Sequence, residues 1–359
     1  MPEAGGVPEA GGVPEAGGIP EAGGITEADG VPEAGGIPEP GGVSEPKWRG
    51  AAWTEERGSL RPSDEGRARL KAPRRRANRQ TERANRKTQL KLSLNQATVQ
   101  NLSLDESVAL CVRHEITGIG LWRHRVAEAG LARSAAAVRA AGLHVSSLCR
   151  GGFFTHADAD ARRSALADNR AAVAEAAELG ADVLVLVCGG LVPGSRDLGL
   201  ARRMVADAIA ELVPVAQGLG VRLGVEALHP MFCADRCVVS RLGDAVDLAL
   251  LFPAEAVGVI VDTYHVWWDS ELAAQIERAR DRIAGFQLAD WVRPLPADTL
   301  LGRGHLGDGD IDLAGITDLV LAAGYRGYAE VELFNQEIWD APADDTAATV
   351  RRRFSELVK

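Results

Sequence analysis

No stretch of the 359-residue chain approaches the roughly 20 consecutive apolar residues that a membrane-spanning helix needs. The N-terminus also lacks the basic segment and apolar core of a secretory leader, so neither a membrane partner nor export is expected. Cysteine is scarce: five residues, at 111, 149, 188, 233 and 237, odd in number and scattered. Cys233 and Cys237 have no second Cys or His pair at zinc spacing, so they are expected to be structural. Reduced thiols in a cytoplasmic protein follow. An excess of positive charge is missing as well. The formal net charge is −10, whereas binding to a phosphate backbone needs clustered Lys and Arg, so no nucleic-acid partner is expected. Finally, no Gly-x-Gly-x-x-Gly follows the first predicted strand, which counts against a doubly wound dinucleotide-binding sheet.

What is present falls into three textures. Residues 1–46 repeat a hexapeptide, Val/Ile-Pro-Glu-Ala-Gly-Gly, about seven times. Such a composition has too little to bury to offset ordering entropy, and proline in every unit opposes a β-helix, so a disordered tail is predicted. Residues 47–89 turn basic, with Arg74, Arg75, Arg76, Arg79, Arg83, Arg86 and Lys87 close together. Without neighbouring aromatics to stack on bases, this segment reads as a solvated, disordered linker. From residue 90 to 359 short apolar strands alternate with Ala/Leu/Arg-rich helical stretches. The predicted strands are Leu90–Thr98, Gly118–Trp122, His144–Cys149, Asp182–Cys188, Val221–Ala227, Val257–Thr263, Ile283–Leu288 and Tyr328–Leu333. Helices are predicted over Ala157–Leu179, Leu200–Gly218 and Ser270–Arg282, and several helices stop at glycine (Gly142, Gly180, Gly324). Eight strand–helix units in about 270 residues predict an α/β fold, a (β/α)8 TIM barrel behind a disordered low-complexity N-terminal tail.

In such a barrel the chemistry sits at the C-terminal ends of the strands. The stretch VGVIVDTYHVWWD, Val257–Asp269, is an apolar strand that delivers Asp262, His265, Trp267 and Trp268 at its tip. Alternation puts Asp262 on the face of Gly258 and Ile260, opposite the valines. By the same rule the fifth strand points Glu226 inward, the seventh Gln287, and the eighth Glu330 and Glu332, with Glu332 nearer the tip. Glu226, Asp262, Gln287 and Glu332 therefore converge from four consecutive strands. Each acid alone fits an ordinary strand-end salt bridge. Together, three carboxylates in one dry site raise one another's pKa values unless a cation compensates them. All-oxygen ligands point to one Mn²⁺ or Mg²⁺, with Co²⁺ as a further candidate. Glu330, one layer deeper, is expected to be a structural ion-pair partner.

These segments, VEALHP, VDTYH, FQLAD, GRGHLGDGDID and GYRGYAEVELF, resemble the xylose isomerase-like barrels, specifically the sugar phosphate isomerase/epimerase group. The resemblance covers about residues 90–359. It implies metal ligands Glu, Asp, His and Glu on strands five to eight, which fall here on Glu226, Asp262, Gln287 and Glu332; Gln287 departs from the usual His. It also implies that His265 contacts substrate hydroxyls and that Arg303, in the family's R-x₃-G-x-G pattern, binds a substrate oxygen or anion. His229 is a further substrate-contact candidate. Trp122, Trp267, Trp268 and Trp291 follow strands, where indoles stack on a sugar face or pack under loops; Trp122 and Trp268 are retained as substrate-binding candidates. Arg150-Gly151-Gly152 after the third strand fits an anion-binding nest or a plain glycine turn.

The activity implied is a metal-dependent isomerase or epimerase of sugars or sugar phosphates, working by proton abstraction next to a carbonyl. Glu226 and Glu332 are the expected catalytic acid/base pair, one on each face of the carbon. The alternatives are a dehydratase of keto-inositols on the same site and a non-catalytic sugar-binding barrel. A His-rich three-metal nuclease is disfavoured, because only His229 and His265 lie near the metal strands. A small sugar or polyol is the expected partner, with a homo-oligomer as a further possibility.

Overall fold

The computed structural model describes residues 90–358; the expectations for residues 1–46 and 47–89 concern chain outside them. Eight parallel strands close into a barrel: β1 (Lys91–Asn95), β2 (Gly118–Trp122), β3 (His144–Gly152), β4 (Val183–Val187), β5 (Arg222–Glu226), β6 (Val257–Asp262), β7 (Ile283–Leu288) and β8 (Tyr328–Val331). Each strand pairs with its neighbour in sequence, and β8 returns to β1 through Lys91↔Tyr328 and Ser93↔Glu330. This is the predicted TIM barrel. An antiparallel ribbon, Asp290–Trp291 with Arg303–Gly304, sits outside the barrel sheet.

Local chemistry sets the helix boundaries. The side chain of Asp158 accepts a hydrogen bond from the Ala161 N–H and opens Ala159–Leu179, which closes on Gly180 at φ 67°. Asp197 and Gly220 (φ 70°) bracket Leu198–Leu219 in the same way. Gly142 and Gly324 also take positive φ, as expected for left-handed helix stops. Strand β1 is shorter than predicted. The Asn95 side chain accepts from the Ala97 N–H and winds Gln96–Val99 into a 3-10 turn. Strand β3 is longer than predicted and carries a register shift between Cys149 and Gly151.

The main core lies between the sheet and the helices, where the valines of β5 and β6 point. A smaller apolar plug fills the barrel itself: Cys149, Val183, Val185, Ile260 and Ala284, with Trp122 against it. Ile260 occupies space that two glycines leave open. A Cβ on Gly224 would lie 2.6 Å from its Cδ1, and one on Gly285 would lie 2.8 Å away. Large and small residues thus interdigitate across the barrel floor and leave the upper layer to polar groups. Gly224→Ala is therefore expected to overpack the plug and cost about 1–3 kcal/mol in urea unfolding. Adding Ile260→Val should recover part of that loss; strict additivity of the two changes would contradict the contact.

Candidate active site

The inward faces of β5 to β8 carry the polar layer that alternation predicts. Asp262 is in register with Gln287, Gln287 with Glu330, and Glu330 with Ser93. Glu226 ends β5, and Glu332 follows β8 directly, its N–H bonded to the Leu288 carbonyl. All five of these side chains from positions 226 to 332 are buried. Glu226, His265, Arg303 and Glu332 line a cavity of about 220 Å³, with Trp122 and Phe334 as its aromatic wall.

Asp262 is held at both oxygens. Its Oδ1 accepts from the Tyr264 N–H at 2.8 Å, and its Oδ2 accepts from Arg303 Nη1 at 2.9 Å. The same Nη1 donates to Glu332 Oε2 at 3.1 Å and to the Glu332 carbonyl at 3.2 Å. Arg303 is 1% exposed. Burial disfavours its charge, but Asp262, Glu332 and Glu226 together more than offset that cost, so it stays protonated. Arg303, expected to bind a substrate oxygen or anion, lines the cavity and is at the same time engaged with two of the predicted metal carboxylates. The other guanidinium nitrogen, Nη2, lies 3.0 Å from His265 Nε2. His265 Nδ1 in turn faces the His229 backbone N–H at 3.2 Å. Burial, reinforced by the Arg303 charge, pushes the His265 pKa well below the usual imidazole range, so the ring is neutral.

Glu226 differs from its neighbours in having no hydrogen-bond donor on its carboxylate among the described residues, and it faces the cavity. Burial, then the charges of Asp262 and Glu332, raise its pKa well above the ordinary carboxyl value. Glu332 is pushed up to about 8, first by burial, against the stabilising charge of Arg303. Glu330 corrects an expectation. It lies one layer deeper as predicted, yet none of its partners is a cation. Asn95 Nδ2 donates to it at 2.6 Å, Ser147 Oγ at 2.8 Å and Gln287 Nε2 at 3.1 Å, and Ser146 Oγ donates as well. Neutral donors satisfy this carboxylate, so its role is to orient the Gln287 amide and the floor of the site.

That orientation bears on a cation. With its Nε2 committed to Glu330, Gln287 is left with a buried Oε1 that has no hydrogen-bond partner. Glu226, Asp262 and His265 offer ligand atoms within 4.8 Å of one another. Two carboxylates, an imidazole nitrogen and the unpartnered Gln287 amide oxygen on the adjacent strand fit a divalent cation in charge and donor type, whereas Glu332 groups instead with Cys149 and Glu330.

The remaining predicted residues separate into two groups. Trp122 stands on the cavity wall, its Nε1 donating to Asn95 Oδ1 at 2.7 Å and its ring edge-on to Phe334 at 5.7 Å. His229 and Trp268, expected to touch substrate, pack behind His265 instead. Trp268 Nε1 donates to the His265 carbonyl at 2.8 Å, and its ring meets His229 at 5.4 Å. In the same cluster the Trp291 indole stacks on Tyr264 at 4.8 Å and meets the tilted Trp267 ring at 5.5 Å. The reason is local: Thr263–Val266 turns helical directly after Asp262 and swings the following tryptophans away from the barrel axis. Arg150-Gly151-Gly152 form neither the nest nor the plain turn considered for them, because these residues continue β3. Gly152 N–H donates to Asn169 Oδ1 at 2.6 Å and Phe153 N–H to the Val187 carbonyl at 2.8 Å, leaving no cluster of free donors. Cys149, Arg150, Phe153, Arg236 and Phe334 line the cavity without having been singled out from sequence for that position. Only the spacing of Phe334, two residues beyond Glu332 on the same face, signals it.

The raised Glu332 pKa carries a sign. Its ordinary value is 4.5 and its folded value about 8, so between these limits the folded state holds a proton that the unfolded state has lost. Its contribution is full below the ordinary value and is lost as pH rises towards 8. Between pH ~6.5 and ~8.5 ordinary histidines are already neutral and do not mask the effect. Chelator-treated protein is therefore expected to lose melting temperature across that window, and Glu332→Gln to flatten the slope. A wild-type slope that the substitution leaves unchanged would contradict the assignment.

Comparison with known proteins follows the same lines. Residues 108–355 match the family model described as xylose isomerase-like TIM barrel. The 3-dehydroshikimate dehydratase of Pseudomonas aeruginosa is 34% identical over 171 residues, 46% of this chain; the chain spans only about a quarter of that relative, 25% of its length. The inosose isomerase of Bacillus velezensis is 23% identical over 279 residues, covering 75% of this chain and 97% of the relative. Among solved structures, a protein from Sinorhizobium meliloti superposes with a TM-score of 0.73 at 48% identity, over 75% of this chain and 98% of that one. The IolI protein with a bound zinc atom superposes with a TM-score of 0.66 at 20% identity, over 75% of this chain and 98% of that one, a likeness of fold. Motif, barrel topology and family model agree: the chain belongs to the xylose isomerase-like TIM barrel family.

Proposed function

We propose that the chain is a divalent-metal-dependent isomerase or epimerase acting on a polyhydroxylated carbonyl compound by proton abstraction next to the carbonyl. One observation carries this: two buried acids, Glu226 and Glu332, face the same cavity, and Glu226 has no hydrogen-bond donor on its carboxylate among the described residues. Relatives named as an inosose isomerase and a 3-dehydroshikimate dehydratase support chemistry at a carbonyl-bearing polyol.

Glu226, Asp262, Gln287 and Glu332 would hold the cation, which when bound supplies Lewis-acid polarisation of the substrate carbonyl. The chain itself provides the proton transfers. Glu226 carries no competing hydrogen bond among the described residues and faces the cavity, which suits a general base. Glu332 is fixed by Arg303 Nη1 at 3.1 Å and faces the same cavity, which suits it to deliver or receive the second proton. Neutral His265 is placed to exchange hydrogen bonds with substrate hydroxyls. Trp122 and Phe334 exclude water and offer ring faces to C–H groups. Returning the proton to the opposite face gives epimerisation, and returning it to the neighbouring carbon gives isomerisation. Loss of a β-hydroxyl from the same intermediate gives the dehydratase outcome, which the 34% identity to the Pseudomonas enzyme favours as the second reading.

The test combines metal content with isotope exchange. Purified full-length protein is expected to retain about one Mn²⁺ or Mg²⁺ per chain and to exchange the α-proton of an inosose or ketose with solvent deuterium. Glu226→Gln should slow exchange by about 10²–10⁴-fold, and Glu332→Gln should also weaken metal retention. A folded wild-type protein that holds no metal and exchanges no proton would leave a binding barrel in place of an enzyme.

A further inference from the structure

The cavity wall carries three arginines, and their charges are not equally committed. Arg303 is spent on Asp262 and Glu332. Arg236 has only an adjacent aspartate, Asp235, at 3.7 Å, and its guanidinium lies over the Phe232 ring, 5.8 Å from the centroid. Arg150 has no carboxylate within ion-pair distance among the described residues; it stacks on Phe153 at 4.2 Å.

The backbone puts Arg150 there. Along β3, Cys149 pairs with Val185 but Gly151 pairs with Leu186, so Arg150 is the extra residue of a bulge. Cys149 belongs to the plug inside the barrel, whereas a Cβ on Gly151 would point at Asn169 of the outer helix, 2.6 Å from its Oδ1. The bulge absorbs one step of the alternation and leaves the intervening side chain on the cavity side, a placement typical of bulges beside active sites. Arg150 borders both the 220 Å³ cavity and an adjoining lobe of about 360 Å³, which share Trp122, Cys149 and Phe153. Within that lobe Arg123 is already tied to Asp168 at 2.8 Å and Glu175 at 2.7 Å, so it offers no spare charge. Burial lowers the Arg150 pKa and the nearby Arg236 charge adds to that, while Glu226 acts in the opposite sense. Arg150 without a counterion, beside Arg236 with only the exposed Asp235 at 3.7 Å, leaves the mouth of the cavity with positive charge that an oxyanion completes.

We propose that Arg150 and Arg236 form an oxyanion subsite at the mouth of the cavity, so that the substrate is a polyhydroxylated ketone carrying a carboxylate or a phosphate. This rests on the proposed function in one respect only, that the cavity receives a carbonyl substrate. The subsite adds a second anchor, which fixes the direction in which the substrate lies across Glu226 and Glu332.

The experiment is parallel calorimetric titration of the full-length protein with 3-dehydroshikimate (carboxylate), fructose 6-phosphate (phosphate) and a neutral inosose. At least one anionic ketone is expected to bind about tenfold or more tightly than the neutral one, and which of the two does so identifies the anion. Arg150→Met should shrink that preference by about tenfold, Arg236→Met by less, and Arg150→Lys should keep part of it. Circular dichroism and melting establish that the variants are folded. No anionic preference in the wild type, including binding of none of the three, overturns the subsite, as does a preference that folded Arg150→Met leaves intact. Deuterium exchange separates the two proposals. Arginine-dependent binding without exchange sinks proton abstraction and leaves the subsite standing. Exchange on the neutral inosose with no anionic preference does the reverse.

Discussion

Negative charge confined in a barrel is the constraint on which this structure turns. Glu226, Asp262, Glu330 and Glu332 are all buried within one polar layer, and one internal guanidinium, Arg303, stands among them. Removing carboxylates from water is expensive, and the barrel meets that cost in three different ways. Glu330 is surrounded by neutral donors, Asp262 is held by a backbone N–H and Arg303, and Glu226 and Glu332 hold protons more tightly than free acids do. The three solutions produce a gradient from a fully satisfied floor to an unsatisfied rim. Reactivity belongs at the rim, where a carboxyl group has no partner of its own.

The floor explains the rim. Gly120 leaves space for the Glu330 carboxylate, whose atoms would lie 2.6–2.7 Å from a Cβ there. Glu330 in turn fixes the Gln287 amide so that its oxygen, not its nitrogen, is left unpartnered. A glycine on β2 and a serine pair on β3 therefore help set the donor character of a residue on β7. The aromatic cluster behind His265 holds that residue in a similar way, the His229 N–H on its ring and the Trp268 indole on its carbonyl.

Much of this was legible in the sequence, and the limits of legibility have physical causes. The period-2 rule placed Glu226, Asp262, Gln287 and Glu330 because each lies in a stretch of strand whose register runs unbroken up to it, Ile260↔Gly285 to Asp262↔Gln287 beyond the shift in β6–β7 included. Where the chain departs from regularity the rule fails. The bulge at Arg150 extends β3 through a segment that the sequence left open between a glycine nest and a plain turn, and it sets an arginine at the mouth of the cavity. The helical turn Thr263–Val266 moves Trp268 off the cavity wall, and nothing in the composition of VWWD announces that turn. Arg303 was marked by the family pattern, yet its burial between two carboxylates depends on the Asp290–Trp291/Arg303–Gly304 ribbon, a long-range pairing that spacing alone does not encode. Neutral satisfaction of Glu330 was equally hidden, because its partners come from β1, β3 and β7.

His265 has one further consequence. A neutral imidazole owns a single N–H, yet both of its nitrogens face donors: the His229 amide on one side and the Arg303 guanidinium on the other. Whichever tautomer forms, one of the two approaches sets hydrogen against hydrogen. The ring cannot hold both neighbours at full strength, so the grip on Arg303 from this side is inherently weak. An incoming hydroxyl, able to accept from one partner while donating to the other, removes the conflict. The pair is thus a latch left half fastened, open to a group that can both give and take a hydrogen bond.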